Sequence, residues 1–351
     1  MFGILRKCLS HVIKTLTLTL FVNSLSAVVA PWTIIANAGD VFPRNTLNIV
    51  IGSDVGGGYD ALGRLTSRHI GRLLPGEPAV IVKAMPGGSG LIAANYLFNI
   101  SGNDESEIGL VMRNVLTAQL LNPGNARFDV KKFNWIGSLA SESGVAITWK
   151  KDPQARAPDP FTREIIIGAT TGTDTEITAR LLNELIGTKF KIVSGYKGNA
   201  DILIALERGE VQGMANVSWS NIRRHRYMRD KQIDVLLQNA LSKEADLSGV
   251  PLSIDLAKND VDRKVMALFF GQRLVARPLV APPRMPSNQV DAVRKAFIAL
   301  GADKQFMDDA AKSQLPIKLT SHKELNEVID AISSAPPDVV ARFADISGSR
   351  K

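Results

Sequence analysis

Glycine-rich turns that follow short β-branched runs are the features of this chain best suited to chemistry. Leu47-Asn48-Ile49-Val50-Ile51 leads into Gly52 to Gly58, and a helix is predicted from about Asp60. Val80-Ile81-Val82-Lys83 leads into Met85-Pro86-Gly87-Gly88-Ser89-Gly90, with a helix through Asn95 and Phe98 after it. The first turn of a helix leaves about four backbone N–H groups without intrahelical partners, at the positive end of the helix dipole. Glycine lets a ligand approach those groups closely. Such a place binds phosphate or carboxylate. One turn of this kind is equally well a plain tight turn; its recurrence favours the anion site.

Polar side chains sit at the same expected edge. Arg113-Asn114 close a predicted third strand, Ile108 to Met112. A guanidinium there is either a bidentate grip on a carboxylate or a surface arginine over a loop. Lys197, in Ser194-Gly195-Tyr196-Lys197-Gly198, carries the same two readings. Thr171 lies in the turn Gly168 to Asp174 and joins the candidate ligand residues. Trp219 follows another short strand, as core or as the aromatic wall of a cleft, and the wall is expected.

The elements that must position these residues repeat. After Asp60, Leu62, Leu65, Ile70 and Leu73 fall near one helical face. Leu73-Leu74-Pro75-Gly76 ends that helix. Beyond the polar stretch Lys150 to Pro160, the pattern restarts. Ile165-Ile166-Ile167 leads to a turn and a helix near Glu176–Leu185; Lys191-Ile192-Val193 leads to a helix near Ala200–Glu207. A further short strand is expected to begin within Gly209 to Gly213. Leu274 to Pro286 reads as an extended return crossing, and helices over about 287–300 and 322–333 are expected to pack on the first block. Strands alternating with helices imply a mostly parallel sheet covered on both faces. The predicted class is α/β, with two similar lobes and a central cleft. Lobe 1 spans 39–143 plus 274–351 and lobe 2 spans 144–273. Hinges are expected near 140–146 and 272–280.

Several chemistries find no support in the pattern. The net charge of +8 comes without a block of five like charges, so no nucleic-acid arm is indicated. Gly56-x-Gly58-x-x-Ala61 fits a dinucleotide fingerprint loosely, but the next strand ends at Lys83 with no acidic residue for a ribose. No P-loop and no G-x-S-x-G elbow occurs, His11, His69, His225 and His322 are scattered, and metal-ligand spacing is missing. His69 reads as a packed or surface residue. No catalytic residue, metal site or cofactor is assigned.

The N-terminus has its own pattern. Arg6, Lys7 and Lys14 precede the apolar stretches Leu16–Val22 and Leu25–Ala30, and Ala36-Asn37-Ala38 fits a small-x-small cleavage site. A signal peptide over 1–38 is expected, with the charge-free stretch 15–39 as an uncleaved anchor the alternative. The sole cysteine is Cys8. A mature chain starting after Ala38 has none, which excludes disulfides and a cysteine nucleophile.

Taken together, these segments resemble the substrate-binding receptors of tripartite tricarboxylate transporters, the Bug family. Ile49 to Asp60 resembles the family's first ligand loop, and Pro86-Gly87-Gly88-Ser89-Gly90 its second. Gly195-Tyr196-Lys197-Gly198 with Ala205 to Val211 is similar to its second-domain segment, and Arg277 to Pro283 to its return segment. The resemblance runs over roughly residues 43–345. It implies a type II periplasmic-binding-protein fold holding a di- or tricarboxylate, an acidic amino acid or an aromatic carboxylate. Gly57, Gly58 and Asp60 would serve in the first loop, Gly88 and Ser89 in the second, and Tyr196 from the second lobe. It also implies a periplasmic monomer that closes on its ligand and delivers it to membrane permease subunits. A receptor feeding a sensor kinase, or an interaction protein with no small ligand, are the alternatives. Gln212-Gly213, Arg113-Asn114 and Ser53-Asp54 depart from the family pattern. The extra arginine suggests a ligand with a second anionic group.

Overall fold

The structure, a computed structural model, describes residues 41–348 except 43–44, 103–105, 122, 151, 153 and 155. The expected signal segment 1–38 and Cys8 lie outside the described residues.

The first sheet starts with β1 (Thr46–Ile51), whose residues from Leu47 onward are all buried. A run buried on both faces suits an interior strand covered on both sides. It leads to α1 (Gly58–Ile70), β2 (Ala79–Ala84), α2 (Leu91–Asn99), β3 (Glu107–Leu110), α3 (Val115–Leu121) and β4 (Asn134–Ser138). Gly63 on α1 allows the helix to lie tightly on the sheet: a Cβ there would stand 2.3 Å from Ile51 Cδ1. The chain then builds the second sheet. It runs through β5 (Gly144–Trp149), β6 (Ile165–Ala169), α4 (Asp174–Ile186), β7 (Phe190–Ser194), α5 (Asn199–Arg208), β8 (Gly213–Ser218) and β9 (Ile233–Asn239). After α6 (Asp260–Gly271) it returns as β10 (Pro278–Ala281), α7 (Ser287–Leu300), α8 (Lys304–Lys312), β11 (Thr320–Ser321), α9 (His322–Ser333) and α10 (Pro337–Ser347).

The strand orders are β11-β4-β10-β3-β1-β2 and β7-β6-β8-β5-β9. Each sheet holds three parallel strands, β3-β1-β2 and β7-β6-β8. Antiparallel pairing extends both, through β10, β4 and β11 in the first and β5 and β9 in the second. The sheets are therefore mixed, and the expectation of mostly parallel pairing holds only for the strand–glycine turn–helix units. The strand expected from Gly209 begins at Gly213, because Gly209 is the left-handed cap of α5.

One apolar cluster fills the first lobe around Ile49, Ile51 and Phe297, and another fills the second around Ile147, Leu206 and Tyr227. A third runs through both, from Val50 and Leu97 to Leu182, Phe270 and Phe343. The last helix, α10, packs on α4 and α6.

Two charged contacts fasten α8 to α1. His69 Nε2 lies 2.9 Å from Asp309, with Phe306 against the imidazole edge. Asp303 caps α8 by accepting Phe306 N–H at 2.7 Å and bonds Arg72 at 2.5 Å. Arg72, then the Phe306 N–H, hold the Asp303 carboxyl at about 2. Loss of an aspartate cap costs about 1–2 kcal/mol, so Asp303→Ala should lower stability by about that much in a urea melt at pH 7. Its folded pKa is depressed, so the contribution is whole above the ordinary carboxylate pKa of about 3.9 and is lost as pH falls through about 2.

Candidate functional site

The chain leaves the first sheet after Ser138, enters the second at Gly144, and returns through residues 272–277. Both crossings carry charge, and they meet the loop after β3. Asp174, the first residue of α4, is the hub. Its Oδ2 accepts from Arg113 Nη2, from Arg273 Nη2 at 2.6 Å and from Asn216 Nδ2 at 3.2 Å. Glu142, on the outgoing crossing, bonds Arg277 at 3.0 Å and Arg113 at 3.4 Å. The Arg277 guanidinium lies 4.4 Å from the centre of the Tyr59 ring, in cation–π range. Tyr59 OH accepts Arg113 N–H at 3.0 Å and donates to Ala276 O at 2.9 Å. Gly144 admits this cluster: a Cβ there would stand 2.1 Å from Asn216 Oδ1 and 3.1 Å from Arg273 Cζ.

Three guanidinium groups thus face two carboxylates, and one positive charge is left over. Arg273 carries the strain of this. Its side chain is 5% exposed, and burial, with Arg113 beside it, pushes its pKa down to about 10. Burial opposes the charge of Arg113 too, but Asp174, Tyr59 and Glu142 outweigh it and hold its pKa above the ordinary arginine value. Burial likewise opposes ionisation of Asp174, and Arg113 and Arg273 reverse that, leaving its carboxyl below the usual range. Arg277 Nε is buried with no partner among the described residues.

A cavity of about 310 Å³ opens on this cluster, lined by Tyr59, Ser89, Arg113, Asn114, Asp174, Arg273 and Arg277 with Ile177 and Phe269. A second, of about 610 Å³, adjoins it and shares Ser89, Asn114, Gly172, Ile177, Phe269 and Gln272. Its remaining wall includes Gly88, Leu91, Ile92, Ala118, Leu121 and Phe343.

Of the residues singled out from sequence, the structure gathers Gly88, Ser89, Arg113 and Asn114 here, and Asn114 Nδ2 holds Ser89 O at 2.9 Å. Gly58 stands beside the site, since a Cβ on it would be 3.9 Å from Arg277 Nη2. Gly57 is the exposed cap of α1. Thr171 is exposed next to the lining residue Gly172. Tyr196 and Lys197 line neither cavity; Lys197 is exposed, and Tyr196 packs on the second-lobe core. Trp219 is 6% exposed on the second-lobe core, with its indole N–H on Asp246 at 3.0 Å, and it lines a separate cavity of about 370 Å³ with Glu142, Ser143, Arg273 and Leu274 of the two crossings.

Asp60 also has a different occupation. Its carboxylate accepts Gly56 N–H at 3.0 Å and Arg64 Nε at 3.0 Å, and those two bonds, Arg64 first, hold its pKa below the ordinary value. Glu176 does the same in the second lobe, accepting Gly172 N–H at 2.7 Å and Arg180 at 2.8 Å. Gly56 (φ +88°) and Gly172 (φ +69°) are both left-handed, where a side chain is strained. Gly-x-x-x-acid-x-x-x-Arg therefore recurs in both lobes, each acid satisfying its own turn. Arg113, expected to face a second anionic group on the ligand, is here paired with Asp174 and Glu142.

Arg273, Arg277, Asp174 and Tyr59 were not singled out from the sequence. The available signal was their position. Arg273 and Arg277 lie within the predicted hinge 272–280, while Asp174 and Tyr59 stand at the openings of predicted helices.

This is the two-lobed α/β fold of periplasmic solute-binding proteins. A TctC solute-binding protein from Polaromonas matches with a TM-score of 0.63 at 16% identity, over 86% of this chain and 97% of that one. The periplasmic binding protein BugD matches with 0.58 at 17% identity, over 87% and 98%. MatC from Rhodopseudomonas palustris, solved with bound malate, matches with 0.55 at 16% identity, over 87% and 100%. An R. palustris protein solved with adipate matches with 0.58 at 17% identity, over 87% and 96%. In sequence, the chain is 26% identical over 197 residues to a UPF0065 protein from the TAR-I ttuE-ttuC' intergenic region of Agrobacterium vitis. The match takes in 53% of this chain and 54% of that protein, so the chain spans about half the length of the curated relative it matches. No family model matches the sequence. The likenesses to these solved structures show the fold.

Proposed function

We propose that this chain is an exported receptor that captures a small organic carboxylate between its lobes for a secondary uptake transporter. The observation that carries the reading is the uncompensated positive charge of Arg113, Arg273 and Arg277 at a cavity of about 310 Å³. A carboxylate there supplies the missing counter-charge and an acceptor for guanidinium N–H. The malate and adipate bound by two proteins of the same fold support the ligand class.

The role is capture, with no catalytic residue assigned. The lobes, 39–143 with 274–351 against 144–273, close about 140–146 and 272–280. Closure is driven only by the ligand's higher affinity for the closed form. The predicted signal over 1–38 supports export to the periplasm, where the closed receptor, as a monomer, would dock on permease subunits.

Calorimetry or thermal shift with mono-, di- and tricarboxylates tests the reading. Saturable binding of at least one carboxylate is expected. Stabilisation by sugars or cations, with none by any carboxylate, overturns it.

A further inference from the structure

The two adjoining cavities differ sharply in what they offer an anion. Every charged side chain that lines them, Arg113, Asp174, Arg273 and Arg277, belongs to the first. Glu142 completes the charge count from behind, through Arg113 and Arg277. The net balance is one positive charge, enough for one carboxylate. The second cavity is walled by Leu91, Ile92, Ala118, Leu121, Ile177 and Phe343, with neutral asparagine, threonine and glutamine side chains between them. A ligand seated by its carboxylate on the arginines and long enough to pass Ser89 and Asn114 would lay its other end on this apolar wall. A second carboxylate there would meet no cation to pair with.

We propose that the ligand is an amphipathic monocarboxylate: one carboxylate on the arginine cluster, and an aliphatic or aromatic body in the adjoining cavity, against Leu91, Ile92, Leu121 and Phe343 and with no charged side chain on its wall. The inference rests on the receptor reading above and narrows it. It differs from the dianionic ligand that Arg113 alone suggested, because Asp174 and Glu142 act as built-in counter-anions.

Hexanoate and adipate separate the cases, having the same six-carbon chain and differing in one terminal carboxylate. Titration calorimetry on the mature chain at pH 7.5 should give hexanoate at least roughly tenfold tighter binding than adipate, the scale of one uncompensated charge in a partly desolvated site. Ile92→Lys adds a cation on the wall of the second cavity at a side chain that is 52% exposed, so the fold should tolerate it. In that variant the gap should narrow several-fold. Adipate binding as tightly as hexanoate to the unsubstituted chain overturns the inference and leaves the carboxylate receptor standing. A hexanoate-to-adipate ratio unmoved by Ile92→Lys also overturns it, since the far end of the ligand would then lie elsewhere. Failure of both acids, and of every other carboxylate tried, removes the receptor reading and this one together.

Discussion

Asp174→Asn should destabilise the protein by about 2–3 kcal/mol, whereas Arg273→Met should cost under about 2 kcal/mol. Removing one partner of a buried ion pair costs about 3–5 kcal/mol, and the lower figure for Asp174 reflects a side chain that is 30% exposed. The asymmetry follows from the charge count. Without Asp174, three guanidinium groups face Glu142 alone. Without Arg273, two face two, and the most deeply buried cation is gone. Affinity should run the other way: Arg273→Met removes the uncompensated charge and should weaken carboxylate binding by about 1.5–3 kcal/mol, the range for a charge-assisted bond. Urea melts and calorimetry on both variants decide. If Arg273→Met proves the more destabilising of the two, the cluster is not under-compensated as described. Acid gives a second check. The folded pKa of Asp174 is depressed, so its contribution is whole above about pH 3.9 and is lost as pH falls further. Stability curves of the parent and Asp174→Asn should therefore converge below about pH 4.

The repeating unit was legible because each of its parts leaves a mark in sequence. Ile49-Val50-Ile51 before Gly56, and Ile165-Ile166-Ile167 before Gly172, announce a buried parallel strand and a left-handed turn. The antiparallel strands β4, β5 and β9 were not read, since none is followed by a glycine turn and a helix. Gly144 to Trp149, apolar almost throughout, carries no alternation to reveal its period. At the site, Arg113 and Ser89 could be placed because they end recognisable units. Arg273, Arg277 and Glu142 could not, because their meaning lies in two crossings that approach each other only in three dimensions. Asp60 and Asp174 show the same limit from opposite sides. Both stand at the opening of a helix, and sequence alone does not say which carboxylate closes its own turn and which reaches across to an arginine. Following the strand end places Trp219 beside a cavity at the crossings while its ring packs on the second-lobe core, whereas Tyr196 packs on that core and lines neither cavity at the arginine cluster.

Phe343→Ala in α10 should lower stability by about 3–5 kcal/mol, the range for emptying a buried aromatic site. The ring is 1% exposed and stands 5.4 Å from Phe269 of α6. Arg342 beside it reaches Glu184 at 3.1 Å and Asp262 at 3.5 Å, both in the second lobe. Helix α10, counted with the first lobe by sequence, packs mainly on α4 and α6 of the second and also meets α3 of the first, so any closing motion has to carry or pivot about it. Phe343 also lines the apolar cavity beside the arginine cluster. The substitution should therefore act on ligand binding in a length-dependent way. Hexanoate should lose affinity, and acetate, too short to leave the arginines, should keep its own. The comparison belongs at a temperature where the variant is fully folded by circular dichroism. An equal loss for both acids would mean that Phe343 supports the arginine cluster through the fold and does not touch the far end of the ligand. A stability loss below about 1 kcal/mol would mean the junction relaxes around the missing ring, and α10 would then be no firm tether between the lobes.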